Sequence, residues 1–305
     1  MAAPSHPLLG TTIADKYKIV RVLGRGGLGI VFEAENAVLS RMVAVKVVLD
    51  GRNDGFERLE REARMVAMLQ HPNVCDVYDL GRLPMYGPYL VCERLYGETI
   101  AQRVKREAAL PIALVVDVLS QVLSGLHAAH GRHIIHRDMK PQNVFLVDRL
   151  GCPPLAKILD FGLAKDLTVG SARTLTKPGF AVGTPEYMAP ERLRGVKEST
   201  PAMDIFSVGV IAYEALTGVY PFSGATTVVR QARILRDDPT PLRELRPSIP
   251  RMMEDVIAQA LAKNPAERFA DAAVFLNRLR ECVPAIVAEE PPPESTSTVR
   301  VVDTT

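Results

Sequence analysis

The hydrophobic pattern of the chain changes character along its length. Between Tyr17 and Leu95 it comes in short runs. Tyr17–Leu23 alternates apolar and basic residues, Ile30–Glu35 follows a cluster of glycines, and Met42–Leu49 is apolar almost throughout except at Lys46. Runs of this length and period predict strands. The spacing turns helical over 56–70, where Phe56, Leu59, Ala63, Val66 and Leu69 fall on one side. Two more strands are predicted over 74–81 and 89–93. Beyond Gly97 the pattern is mainly helical, with an amphipathic run over Leu114–His130 after Pro111, a favourable residue at a helix start. Further helices are predicted over 205–216, 252–261 and 270–280, and short strand-like pieces at 144–147 and 156–159 flank a loop. The pattern predicts a mostly β lobe over 15–95 and a mainly helical lobe over 96–283, joined by one connector.

The two ends read differently. Residues 1–14 carry two prolines and no periodicity, and a flexible leader is expected there. From about Val287 the composition turns to Glu, Pro, Ser and Thr. Such a stretch cannot bury enough apolar surface to offset its ordering entropy, so 284–305 is expected to be a disordered tail.

Composition narrows the function classes. With 305 residues, 47% hydrophobic and 24% charged, the chain can build a substantial core. A net charge of +2 gives no whole-chain field toward nucleic acid or anionic membrane. Cys75, Cys92, Cys152 and Cys282 are scattered without a C-x-x-C pair; no disulfide framework or zinc ribbon is expected, and a reducing cytoplasmic setting suits them. The N-terminus lacks the charged flank and apolar run of a signal peptide. The longest apolar stretch, Ile205–Leu216, is 12 residues and contains Glu214, too short to span a bilayer. A cytoplasmic protein with no membrane segment in this chain is expected.

Chemistry enters at Gly24-Arg25-Gly26-Gly27-Leu28-Gly29. A dinucleotide-binding turn must lead into a helix. Here Ile30-Val31-Phe32-Glu33-Ala34 alternates like a strand, so the glycines belong to a strand–loop–strand hairpin whose backbone amides can close over phosphates. Lys46 lies alone in an apolar strand. It is either an edge lysine with its head in water or an inward ammonium that needs a carboxylate. Glu62 on the following helix is the available partner, and a Lys46–Glu62 pair would aim the ammonium at nucleotide phosphates.

The decisive stretch is His136-Arg137-Asp138-Met139-Lys140-Pro141-Gln142-Asn143, followed by Asp160-Phe161-Gly162 and Ala189-Pro190-Glu191. Each residue has a structural reading, as a turn or capping group, but the ordered set resembles the eukaryotic-like Ser/Thr protein kinases of prokaryotes over Tyr17–Val283. The resemblance implies an α+β, bilobal protein kinase fold, with a five-stranded antiparallel β N-lobe carrying one helix and a mainly α-helical C-lobe. It implies transfer of the γ-phosphoryl of ATP to protein Ser/Thr hydroxyls, with Asp138 as base, Lys140 on the transferring phosphate, and Asn143 and Asp160 as ligands of Mg2+ or Mn2+.

By the same alignment the Glu93 carbonyl and Leu95 amide take the adenine edge. Leu23, Gly24, Gly26, Gly29, Val31, Ala44 and Phe145 enclose the nucleotide, with simple core packing an alternative for Val31, Ala44 and especially Phe145. Cys92, smaller than the family's usual residue, backs a roomier pocket, its thiol kept unreactive by burial. Glu98 is offered as the ribose partner. Glu191 is expected to pair with Arg268, and Asp204 to tether the catalytic loop. Arg137, beside the base, calls for an anion; a phosphate on Thr174 or Thr176, near Arg173 and Lys177, would supply it. Autophosphorylation there is the expected regulation, compatible with a homodimer for reaction in trans, whereas backbone carbonyls around Arg137 are the plainer alternative. A pseudokinase scaffold that binds nucleotide and partners without catalysis is the rival reading; it predicts loss of Lys46, Asp138 or Asp160, and all three are present. Thr296, Thr298, Thr304 and Thr305 are candidate docking marks for a phosphothreonine-binding partner.

Overall fold

A computed structural model describes residues 6–26, 29–48, 56–161 and 185–283. The first part forms β1 (Thr12–Ile13), β2 (Tyr17–Gly26), β3 (Gly29–Asn36), β4 (Arg41–Val48), α1 (Phe56–Ala67), β5 (Val77–Leu83) and β6 (Gly87–Glu93). The six strands make one antiparallel sheet in the order β1-β2-β3-β4-β6-β5. Strand alternation sorts its side chains. Val43, Val45 and Val47 of β4 join Ile19, Phe32, Ala34 and Val91 in a core on the outer face. Val31, Ala44, Lys46 and Cys92, linked by the pairings Val31↔Lys46 and Ala44↔Cys92, are only half-buried on the opposite face.

Two expectations need correction here. Leu8 and Ile13 are buried in the outer core, and the His6 ring lies 5.0 Å from Phe32. The described part of the expected flexible leader, 6–14, is therefore packed, because an apolar sheet face needs a cover and these residues supply it. The same segment adds Thr12–Ile13 to Tyr17–Lys18, which makes six strands rather than five. A two-residue strand is too short to show a period.

The second part opens with β7 (Gly97–Thr99), α2 (Ile100–Glu107) and α3 (Ile112–His130), followed by β8 (Val144–Val147) and β9 (Leu155–Ile158). It continues with α4 (Pro190–Leu193), α5 (Pro201–Thr217), α6 (Thr227–Arg236), α7 (Leu242–Leu245), α8 (Arg251–Ala260) and α9 (Ala272–Arg280). Strands β7, β8 and β9 form a second small sheet. α3 is the one described helix long and apolar enough to cross a membrane. It packs instead against α9, β9 and α5, and a side chain at its Gly125 would meet Ile158 at 2.9 Å. α5 is buried almost all round, opened by Pro201 and ended by Gly218 in the left-handed region. The tail over 284–305, with its four threonines, lies outside the described residues.

Candidate active site

The glycine cluster runs from strand to strand, with Gly26 paired to Gly29 across the hairpin. Open space surrounds Gly24 and Gly26, whereas a Cβ on Gly29 would stand 2.2 Å from the Val47 carbonyl oxygen. The first two glycines leave bare backbone toward the cleft and the third allows β3 to approach β4. Leu23, Val31 and Ala44 are half-buried beside them. On β8, Val144 and Leu146 point into the core while Phe145 is left half-buried on the other side. Behind this face, the Glu93 carboxylate accepts from Lys157 and, at 2.8 Å, from the Asp76 amide. Leu95 is buried and its carbonyl accepts from Arg94, which also donates to Glu33 at 2.6 Å. Burial alone would raise the Glu33 carboxyl, but donation from Arg21 and Arg94 reverses this and holds it below the usual range. The connector is thereby tied to β2, β3 and β9. Glu98 does not stand free for a ribose: Arg106 holds it at 2.5 and 2.8 Å.

The catalytic loop is positioned from below. Asp204, in the first turn of α5, accepts from the amides of His136 (2.8 Å) and Arg137 (2.9 Å) and contacts His130 Nε2 at 2.8 Å. Burial would raise its pKa, yet the His130 contact and these amides leave it lowered. His136 is buried, and desolvation lowers its pKa against the opposing pull of Asp204. Its Nε2 donates to the Leu159 carbonyl at 2.8 Å, its Nδ1 accepts from the Asp138 amide at 3.2 Å, and the ring lies 4.8 Å from Phe161. The neighbouring Asn143 carbonyl accepts from the Leu159 amide at 2.8 Å. The loop and the stretch ending at Asp160 are thus stitched together.

This stitching brings the charged groups to one place. Lys140 Nζ lies 2.8 Å from Asp138 Oδ2, and Asn143 Nδ2 donates to the Asp138 carbonyl at 2.8 Å. The Asp138 side chain is only 9% exposed while that of Asp160 is 44% exposed, one enclosed and one open to the cleft. Arg137 and Asp160 adopt φ of 66° and 52°, left-handed conformations uncommon for non-glycine residues and concentrated at functional sites.

The expected Lys46–Glu62 pair is corrected. Lys46 Nζ is 2.8 Å from Asp160 Oδ1, and Glu62 lies 3.7 Å from Arg137. The left-handed turn at Asp160 presents its carboxylate to β4, and Arg137 takes the α1 carboxylate instead. Arg137 is therefore not the isolated cation that its sequence context suggested; its carbonyl also accepts from Arg192 at 3.1 Å. Cys92 is half-buried rather than sealed. Lower down, Arg268 donates to both Glu191 oxygens at 2.8 Å and to the Ala262 and Ala202 carbonyls. Thr174 and Thr176 lie outside the described residues, as do Gly162, Gly183 and Thr184. Sequence reasoning missed His130, Lys157 and the Arg94–Glu33 pair, whose roles rest on partners 61 to 74 residues away in the chain.

Comparison with known proteins agrees with this geometry. A family model described as the protein kinase domain matches residues 17–278, and the chain belongs to that family. It is 38% identical over 278 residues to the Serine/threonine-protein kinase pkn3 of Myxococcus xanthus, covering 89% of this chain and 51% of that one. It is 35% identical over 299 residues to the Serine/threonine-protein kinase PknA of Mycobacterium tuberculosis, covering 96% and 66%. The chain thus spans only part of the length of these relatives. Among solved structures, a point mutant of the PknI kinase domain of Mycobacterium tuberculosis superposes with a TM-score of 0.70 at 25% identity, covering 93% of this chain and 100% of that one. Rad53 in complex with AMP-PNP gives a TM-score of 0.73 at 28% identity, covering 89% and 65%.

Proposed function

We propose that this chain is a Ser/Thr protein kinase that transfers the γ-phosphoryl group of ATP to protein hydroxyls. The observation that carries the reading is the joining of Asp138, Lys140, Asn143 and Asp160 through one hydrogen-bonded loop under the glycine hairpin. Support for ATP comes from the family match and from the nucleotide analogue in the Rad53 complex.

Each residue then has a task. Phosphoryl transfer is mostly positioning and charge neutralisation. The bare amides of the hairpin close over the phosphates, the Glu93 carbonyl and Leu95 amide take the adenine edge, and Lys46 turns from Asp160 to the α- and β-phosphates. Asp138 accepts the proton of the acceptor hydroxyl and aims its oxygen in line, and Lys140 meets the charge developing on the γ-phosphoryl oxygens. Asn143 and Asp160 fit a magnesium or manganese ion: both offer hard oxygens, the Asn143 nitrogen is already committed to Asp138, and the Asp160 carboxylate is open to the cleft. Bound there, the ion supplies neutralisation of the phosphate charge.

Regulation follows from the ion pairs. A phosphate on Thr174 or Thr176 brings about two negative charges to Arg137 and competes with Glu62 for it, favouring a turn of Glu62 toward Lys46. Reaction in trans between two copies would place that phosphate, and the tail threonines would serve as docking marks for a phosphothreonine-binding partner. Labelled phosphate transfer from ATP to a general acceptor protein tests the core of the proposal. Asp138→Asn is expected to lower kcat about 100-fold or more with the melting temperature unchanged, and Lys46→Met to abolish transfer. Undiminished transfer by Asp138→Asn would overturn the assignment.

A further inference from the structure

Lys157 is a buried cation behind the cleft. It lies on β9 opposite Phe145 of β8, and cross-strand partners share a face of the sheet, so it stands on the side of the residue expected beneath the nucleotide. Its strand is fixed on both sides. β8 lies along one, and on the other the Ile158 amide donates to the Asn73 carbonyl at 2.8 Å while the Cys75 amide donates to the Ile158 carbonyl at 2.9 Å. From this base the ammonium donates to the Glu93 carboxylate and reaches the Val74 carbonyl at 3.4 Å. The two side chains are 10% and 14% exposed, so the pair is an enclosed one in which neither charge has water as a ready substitute.

The carboxylate it holds alters the ladder at the end of β6. In a regular hydrogen-bonded antiparallel pair, two residues exchange both amide-to-carbonyl bonds. Glu93 makes one half of such an exchange, its amide donating to the Asp76 carbonyl at 3.0 Å. The other half is replaced. The Asp76 amide donates to Glu93 Oε1 at 2.8 Å, the same oxygen that Lys157 holds. A side-chain oxygen thus fills the place of a backbone acceptor, and the Glu93 carbonyl is left out of the exchange with Asp76.

We propose that Lys157 is a positioning residue for base recognition: by pinning the Glu93 carboxylate against the Asp76 amide, it keeps the Glu93 carbonyl available to the amino group of adenine. This rests on the reading of Glu93 and Leu95 as the adenine edge. Without the ammonium, the enclosed carboxylate turns toward water, because an unpaired buried charge is costly. The Asp76 amide then takes the nearest remaining acceptor, which is the Glu93 carbonyl, and draws it away from the base. The bond at stake runs to the exocyclic amino group alone. Inosine triphosphate carries a carbonyl oxygen at that position on the same ribose and phosphates, so it makes no such bond and loses nothing.

The test measures binding of ATP and of inosine triphosphate, each with magnesium, to the full chain by calorimetry, beside the steady-state kinetics of transfer. Lys157→Met is expected to weaken ATP about tenfold, the worth of one hydrogen bond. KM for ATP should rise to match with kcat held within about twofold, while inosine triphosphate binds as it does to the wild type. The double variant Lys157→Met/Glu93→Ala strands no charge and should show the same selective loss, which keeps the test decisive where the single variant does not fold. Equal loss for both nucleotides would make the pair a general scaffold and overturn the role, and so would an unchanged affinity for ATP. A wild type that binds neither nucleotide would overturn the nucleotide reading and this inference with it. Selective loss in a protein that never transfers phosphate would support the role of Lys157 and count against the kinase reading alone.

Discussion

Lys263 shows how a single side chain reports its surroundings. Its ammonium lies 3.9 Å from the centre of the Phe222 ring, and its Nζ has no hydrogen-bond partner among the described residues. Burial pulls its pKa down to about 8, against the opposing pull of Asp238 and Asp237. The folded value lies below the ordinary 10.5, so between these limits the unfolded chain binds more protons and stability rises with pH. Urea unfolding at pH 7 and pH 10 should show the wild type gaining relative to Lys263→Met across that interval; a constant difference would contradict this. The grouping of Asp138, Lys140 and Asn143 was legible at the same scale because these residues lie within one short stretch of the chain. The partner of Lys46 was not. Which carboxylate an ammonium meets is decided by a backbone turn at Asp160 and by the competing claim of Arg137 on Glu62, and neither leaves a mark in the spacing.

At the scale of elements, the firm anchors are buried ion pairs. Arg268 is fully buried and holds Glu191 with both ends of its guanidinium. Removing one partner of such a pair strands a charge and costs about 3–5 kcal/mol. Arg268→Met is therefore expected to lower Tm by roughly 10 °C, read by calorimetry, and a shift below about 2 °C would refute the anchoring role. Asp204 has the opposite pH sign to Lys263. Its pKa is lowered in the fold from an ordinary 3.8, so the stability it contributes is complete above that value and is lost as pH falls through the folded one. Acid unfolding of Asp204→Asn should lack that component. Apolar pattern revealed α1, α3, α5, α8 and α9 because each buries several side chains in the core, α5 almost all round. It missed α2 and α6, which bury only Ile100 and Ile234 respectively, and β1 and β7, which are too short to have a period.

For the whole molecule, the packed leader matters most. Leu8 and Ile13 close the outer face of the upper sheet, and burial of one such side chain contributes roughly 1.5–3 kcal/mol. A chain starting at Lys16, just after the expected lobe boundary, should melt several degrees lower than the full chain; an unchanged Tm would show the cover to be dispensable. The two-lobed plan itself was evident from the switch between short β runs and long helical ones. The role of the leader was hidden because a cover segment is recognised by the surface it meets, which lies in other strands.

The grip of Asp204 on the catalytic loop also separates two motions. The loop carrying the proposed base Asp138 hangs from α5, a helix buried almost all round, while the glycine hairpin hangs from a sheet reached through the 94–97 connector. Rocking of the upper sheet would pull on the Lys46–Asp160 and Glu62–Arg137 pairs, while the Asp204 bonds keep the loop backbone fixed to α5. Substitutions along the connector should alter nucleotide dissociation and leave the intrinsic transfer step intact.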